Sequence, residues 1–150
     1  MLKSVHIESH LSPGLFAVQM DIGAHQPGGP VLHISLTIHE QTRQITGTGQ
    51  LSAAAHHHAF GLTYLKGYFF ALPASPIVEF PNSLIIMGMP YLATPYSNVV
   101  PQPNMEIFLE LDNAWKSGFC TYRYETDGAW FTVAKAPAGF MEPRMLASVV

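Results

Sequence analysis

The stretch Val31-Leu32-His33-Ile34-Ser35-Leu36-Thr37-Ile38-His39-Glu40-Gln41-Thr42-Arg43-Gln44-Ile45-Thr46-Gly47-Thr48-Gly49-Gln50-Leu51-Ser52-Ala53 decides the fold. Leu32, Ile34, Leu36 and Ile38 alternate with His33, Ser35, Thr37 and His39, the period of two expected of a strand with one buried and one wet face. Residues 40–44 make a polar turn. The return run then sets Ile45, Gly47, Gly49 and Leu51 against Thr46, Thr48, Gln50 and Ser52, so the stretch is predicted to be a β-hairpin. Gly47 and Gly49 thin its apolar face, which suits a bulge or the close approach of a ring.

Outward from the hairpin the same texture repeats. Residues 15–22 read as a strand opened by Pro13-Gly14, and residues 61–72 as a long aromatic strand carrying Tyr64, Tyr68, Phe69 and Phe70. Residues 83–89 are apolar on both faces, which predicts a central strand of a sheet. Pro90, Pro95, Pro101 and Pro103 exclude regular structure until Asn104. Met105, Ile107, Leu109 and Leu111 restore the alternation. Runs 119–126 and 129–134 are joined at Asp127-Gly128, the strongest short hairpin signal in the chain. No amphipathic helix is evident. The prediction is an all-β, single-domain antiparallel β-sandwich of about seven to eight strands, spanning 13–136. A loosely ordered segment is expected at 1–12 and a tail at 137–150.

Composition bounds the function. The chain has 150 residues, a net charge of −3 and only 11% charged residues, less than half of the ordinary ~25%. Windows 44–65 and 80–105 contain no Lys, Arg, Asp or Glu. So sparse a charge favours association, either as a homo-oligomer or with a protein partner. No basic stripe exists, so nucleic-acid binding is not expected. No run is long and apolar enough to span a membrane as a helix. The N-terminus lacks the apolar core of a leader, which predicts a cytoplasmic chain, or one exported without a cleaved signal peptide. Cys120 is the only cysteine and reads as a small buried hydrophobe.

Three constellations bear on chemistry. All eight histidines fall within the first 58 residues. Of the run His56-His57-His58, His56 and His58 share a face of an extended chain and are candidate metal ligands; a third would have to come from elsewhere, such as His33 or His39. Those two lie about 20 Å apart along a strand and cannot chelate one ion together. Glu106, Glu110 and Asp112 share a strand face and read as a solvated edge rather than a glycosidase pair. Trp115, Tyr122, Tyr124 and Trp130, with Asn113 supplying an amide, form a candidate ligand site around the C-terminal hairpin, and such rings suit a glycan. No catalytic residues and no cofactor are implied: neither a Gly-x-Ser-x-Gly elbow nor a phosphate-binding loop occurs. The expected function is therefore non-enzymatic surface binding or self-association, with a carbohydrate-binding module and a metal-binding protein as the alternatives.

Pro13-Gly14-Leu15-Phe16, Gly28-Gly29-Pro30-Val31-Leu32-His33-Ile34-Ser35-Leu36 and Ile45-Thr46-Gly47-Thr48-Gly49 resemble the start of a family of domains of unknown function, number 1842 in its series. Leu111-Asp112-Asn113-Ala114-Trp115-Lys116-Ser117-Gly118 and Tyr122-Arg123-Tyr124 resemble its C-terminal hairpin, so the likeness spans about 13–135. The resemblance implies a small bacterial all-β protein and carries no catalytic residues. The triple histidine and the proline-rich stretch after Met89 are not features of that family.

Overall fold

A computed structural model describes residues 14–24, 28–53, 62–73, 75–90 and 102–140. The eight strands are β1 (Leu15–Ile22), β2 (Pro30–His39), β3 (Gln44–Ala53), β4 (Thr63–Ala71), β5 (Asn82–Pro90), β6 (Met105–Leu111), β7 (Ser117–Thr126) and β8 (Ala129–Phe140). The expected hairpin forms, and its register sets Leu32 opposite Leu51, Ile34 opposite Gly49 and Ile38 opposite Ile45. Every strand is antiparallel to the next. β1 returns to β8 through Met20↔Phe140, Asp21↔Gly139 and Ile22↔Ala138, which closes the sheet into a barrel.

The all-β, antiparallel prediction is thus correct, but the sandwich is not: one sheet curls on itself instead of packing on a second. Two features explain the difference. First, the inward positions include glycines and alanines that let strands approach closely. At Gly67 an added Cβ would lie 2.1 Å from the Ile85 carbonyl oxygen, and at Gly118 it would lie 1.8 Å from that of Glu110. Such positions permit the coiling that closure requires. Second, the two-faced apolar strand, β5, buries only Leu84 and Ile86 of its apolar residues. Ile85, Met87 and Met89 point outward, and among the described residues no second sheet covers them.

The interior is a packed core. Val18, Met20, Ile22, Leu32, Ile34, Leu36, Ile38, Leu84, Ile107, Leu109 and Leu111 are all sealed within it, as befits an eight-stranded barrel whose bore is filled by side chains. Removing these from water is the main driving force for folding. The outer faces of β1–β3 carry Gln19, Ser35, Thr37, Thr46 and Gln50, a polar wall over an apolar lumen and the reverse of a lipid-facing barrel. Among the described residues no helix is long and apolar enough to cross a membrane.

The β6–β7 turn closes one end. Asp112 accepts hydrogen bonds from the Lys116 amide (2.9 Å) and the Ser117 hydroxyl (3.1 Å), while buried Asn82 donates to its carbonyl (3.0 Å). Trp115, at φ +61°, turns back to meet Phe16 and Phe69 edge-to-face at 5.2 and 5.1 Å. The other notable local feature is a bulge in β8. Cys120 faces Ala136 but Tyr122 faces Val133, and Lys135, at φ +52°, donates its amide to the Thr121 hydroxyl. The bulge shifts the alternation, so that Trp130 and Thr132 lie on the outer wall beside Glu125 and Arg123. β8 continues to Phe140, beyond the expected domain end at 136.

Candidate functional site

The wall formed by β4, β5 and β6 differs from that of β1–β3. Strand register sets three rows of outward side chains across it: Lys66–Met87–Glu106, Tyr68–Ile85–Phe108 and Phe70–Ser83–Glu110. Tyr64, Tyr68 and Phe70 are each about half exposed, and Met87 and Phe108 more than two-fifths. Tyr68 and Phe70 meet edge-to-face at 5.4 Å. Apolar groups gathered on one wall differ from the scattered exposed hydrophobes of any surface, and such patches mark interaction sites.

Beside these rows lies a groove of about 420 Å³ lined by Ile85, Met87, Glu106, Phe108, Thr121 and Arg123, among others. Arg123 spans the Glu106 carboxylate with two hydrogen bonds, at 3.0 and 2.8 Å. Its guanidinium carbon also sits 4.5 Å from the Trp130 ring centroid. The hydrogen bond from Arg123 holds the Glu106 carboxyl below the usual glutamate range, and Glu106 in turn raises Arg123. Because the Glu106 pKa is depressed, the pair is intact at neutral pH and is lost as pH falls through the lowered Glu106 value. Both side chains are well exposed, so the pair orders the groove wall and adds little stability.

The residues expected to form a ligand site do not come together. Trp115 packs into the β6–β7 end. Asn113 lies exposed in that turn, beside a second hollow of about 350 Å³ with Ser75, Pro76, Val78 and Pro81. Tyr122 is sealed inside the barrel, with Tyr124 at 6.2 Å and Phe131 a further 5.7 Å along, stacked on Tyr124. Only Trp130 reaches the outer wall, where Arg123 covers it. Of the carboxylates, Glu106 is held by Arg123 and Asp112 by its turn.

His56 and His58 lie outside the described residues. His33 does not approach His39; its Nδ1 instead bonds the Asp21 carboxylate across β1–β2 at 2.5 Å. Among the described residues no group of three His, Cys, Asp or Glu side chains could hold a metal ion. Cys120 is fully buried, and burial pushes its thiol up, away from the reactive thiolate.

Tyr122 carries a different signal. Its hydroxyl is buried without a hydrogen-bond partner among the described residues, and burial pushes the phenol up. A buried hydroxyl left unpaired costs free energy. Tyr122→Phe is therefore expected to raise stability by about 1 kcal/mol, read as a higher urea midpoint at unchanged slope. A lower midpoint would mean that the hydroxyl is satisfied in solution.

Strand order and packed interior together define an up-and-down antiparallel β-barrel whose bore is filled by side chains. The model of the family described as "Domain of unknown function (DUF1842)" matches residues 13–130, and the chain belongs to that family. No curated protein matches the chain. The match takes in β4–β7 entire, and with them the outer-wall rows.

Proposed function

We propose that this domain is a non-enzymatic binding domain that works through the outer wall of β4–β6 and the adjoining groove. The observation that carries the reading is the gathering of Tyr64, Tyr68, Phe70, Met87 and Phe108 on neighbouring strands, exposed beside an ordered Glu106–Arg123 pair. Aromatics, Met and Arg are the side chains enriched where proteins meet. Sparse charge along the chain supports the same reading. The core position of Cys120 supports a non-enzymatic role, since it removes the strongest nucleophile from reach.

Hydroxyl-radical footprinting tests the proposal. The oxidation rates of Met87 and Phe108 are compared between dilute purified protein and the same protein in an extract of its own cells. Protection in the extract by several-fold is expected. Equal oxidation in extract, in dilute solution and in concentrated solution would overturn the reading.

A further inference from the structure

We propose that the occupant of this wall is a second copy of the chain, related by a two-fold axis lying in the interface along β5. The inference rests on the binding reading above and names the partner. A two-fold axis in that direction places the partner's β6 over β4 and the partner's β4 over β6, leaving β5 facing its own copy. The register of the three rows then becomes a test of fit.

In the first row, Lys66 comes to face the partner's Glu106, and the contact occurs twice by symmetry. Glu106 keeps its two bonds to Arg123 and offers its open side to the ammonium. Met87 meets the partner's Met87. In the second row, Tyr68 lies over the partner's Phe108, and so the partner's Tyr68 lies over the groove beside β6. Ile85 meets the partner's Ile85. At the rim, Phe70 lies over the partner's Glu110. Opposite charges thus meet at one level and apolar groups at the next, the self-complementarity that a symmetric interface requires. The other face-to-face two-fold, running across the strands along the Tyr68–Ile85–Phe108 row, would set Glu106 against the partner's Glu110, acid upon acid. The charge pattern therefore selects the axis along β5.

The experiment is light scattering over a concentration series, on the wild-type chain and two variants. The wild type is expected to double in mass as concentration rises. Lys66→Glu should shift the midpoint of that transition upward by about tenfold or more, because each of two symmetric pairs becomes repulsive. Inverting the whole network with K66E, E106K and R123E together should restore the wild-type midpoint while keeping the Glu106–Arg123 pairing in reversed sense. Circular dichroism confirms that each variant is folded. A mass that stays monomeric up to about 1 mM, or a dimer indifferent to K66E, would overturn the inference. A monomer whose Met87 and Phe108 are nonetheless protected in extract would remove the second copy as occupant and leave the binding reading standing.

Discussion

Gly118→Ala is expected to destabilise the barrel severely. A Cβ at this position would lie 1.8 Å from the Glu110 carbonyl oxygen, 2.8 Å from its carbon and 3.0 Å from the Leu111 Cα. All three atoms belong to the backbone of β6, which is held in register with β7 from Met105↔Tyr124 to Leu111↔Gly118. No rotamer change relieves the overlap, so the end of β6 must move and the turn clamped by Asp112 must move with it. The expected loss is at least ~3 kcal/mol, a large part of the roughly 5–15 kcal/mol that holds a domain together. Gly139→Ala is the matched control, because among the described residues nothing lies within 4 Å of the added carbon. Urea denaturation should show the first variant severely weakened and the second close to wild type. Equal midpoints would mean that the close approach of β6 and β7 is not a condition of closure.

Trp115→Ala is expected to cost about 3 kcal/mol. The ring closes one end of the barrel by meeting Phe16 from β1 and Phe69 from β4 edge-to-face, so its loss exposes two further aromatics and opens the end of the core. Relief of the left-handed backbone at residue 115 is not expected, since alanine at φ +61° is as strained as tryptophan. Thermal unfolding followed by circular dichroism reads the effect. A change within about 0.5 kcal/mol, the size of an ordinary surface substitution, would mean that the ring lies free in solution. With Trp130 then the only tryptophan, the variant's fluorescence would also report the outer wall alone.

The strands were legible because their cause is local. Alternation at 31–53 and 105–111, and Asp127-Gly128 between two runs, follow from the period of a half-buried strand and from turn chemistry. Closure was not legible, because it depends on how far each strand coils. That is set by positions such as Gly67 and Gly118, whose neighbours belong to other strands. In the sequence Gly47 and Gly49 thin the apolar face of one hairpin, whereas in the barrel inward-facing small residues recur on β4, β5, β7 and β8 as well.

The candidate site shows the same divide. Tyr122 and Trp130 lie eight residues apart in the chain, yet one is sealed in the lumen and the other stands on the outer wall. A cluster in sequence is therefore not a cluster in a barrel. The wall of β4–β6 did leave a trace: Tyr64, Tyr68 and Phe70 share the opposite parity from Leu65 and Phe69, and 83–89 is apolar on both faces. The residues carry the signal of a strand apolar on both faces, which predicts a central strand and does not distinguish a buried outer face from an exposed one. Phe108, alone between Glu106 and Glu110 on a polar face, was the clearest single marker of exposure.

If the β4–β6 wall is the working surface, a partner shields it while the wall of β1–β3 stays open to solvent. The most direct measurement reads both walls in one sample, by hydroxyl-radical footprinting of the chain in its own cell extract. His33 and His39 on β2 serve as the reference for the polar wall, and Met87 and Phe108 report the other. Selective protection of Met87 and Phe108, with His33 and His39 oxidised as in dilute solution, is the expected result. Protection of His33 and His39 with Met87 and Phe108 left open would place the working surface on the other wall and overturn the proposed function.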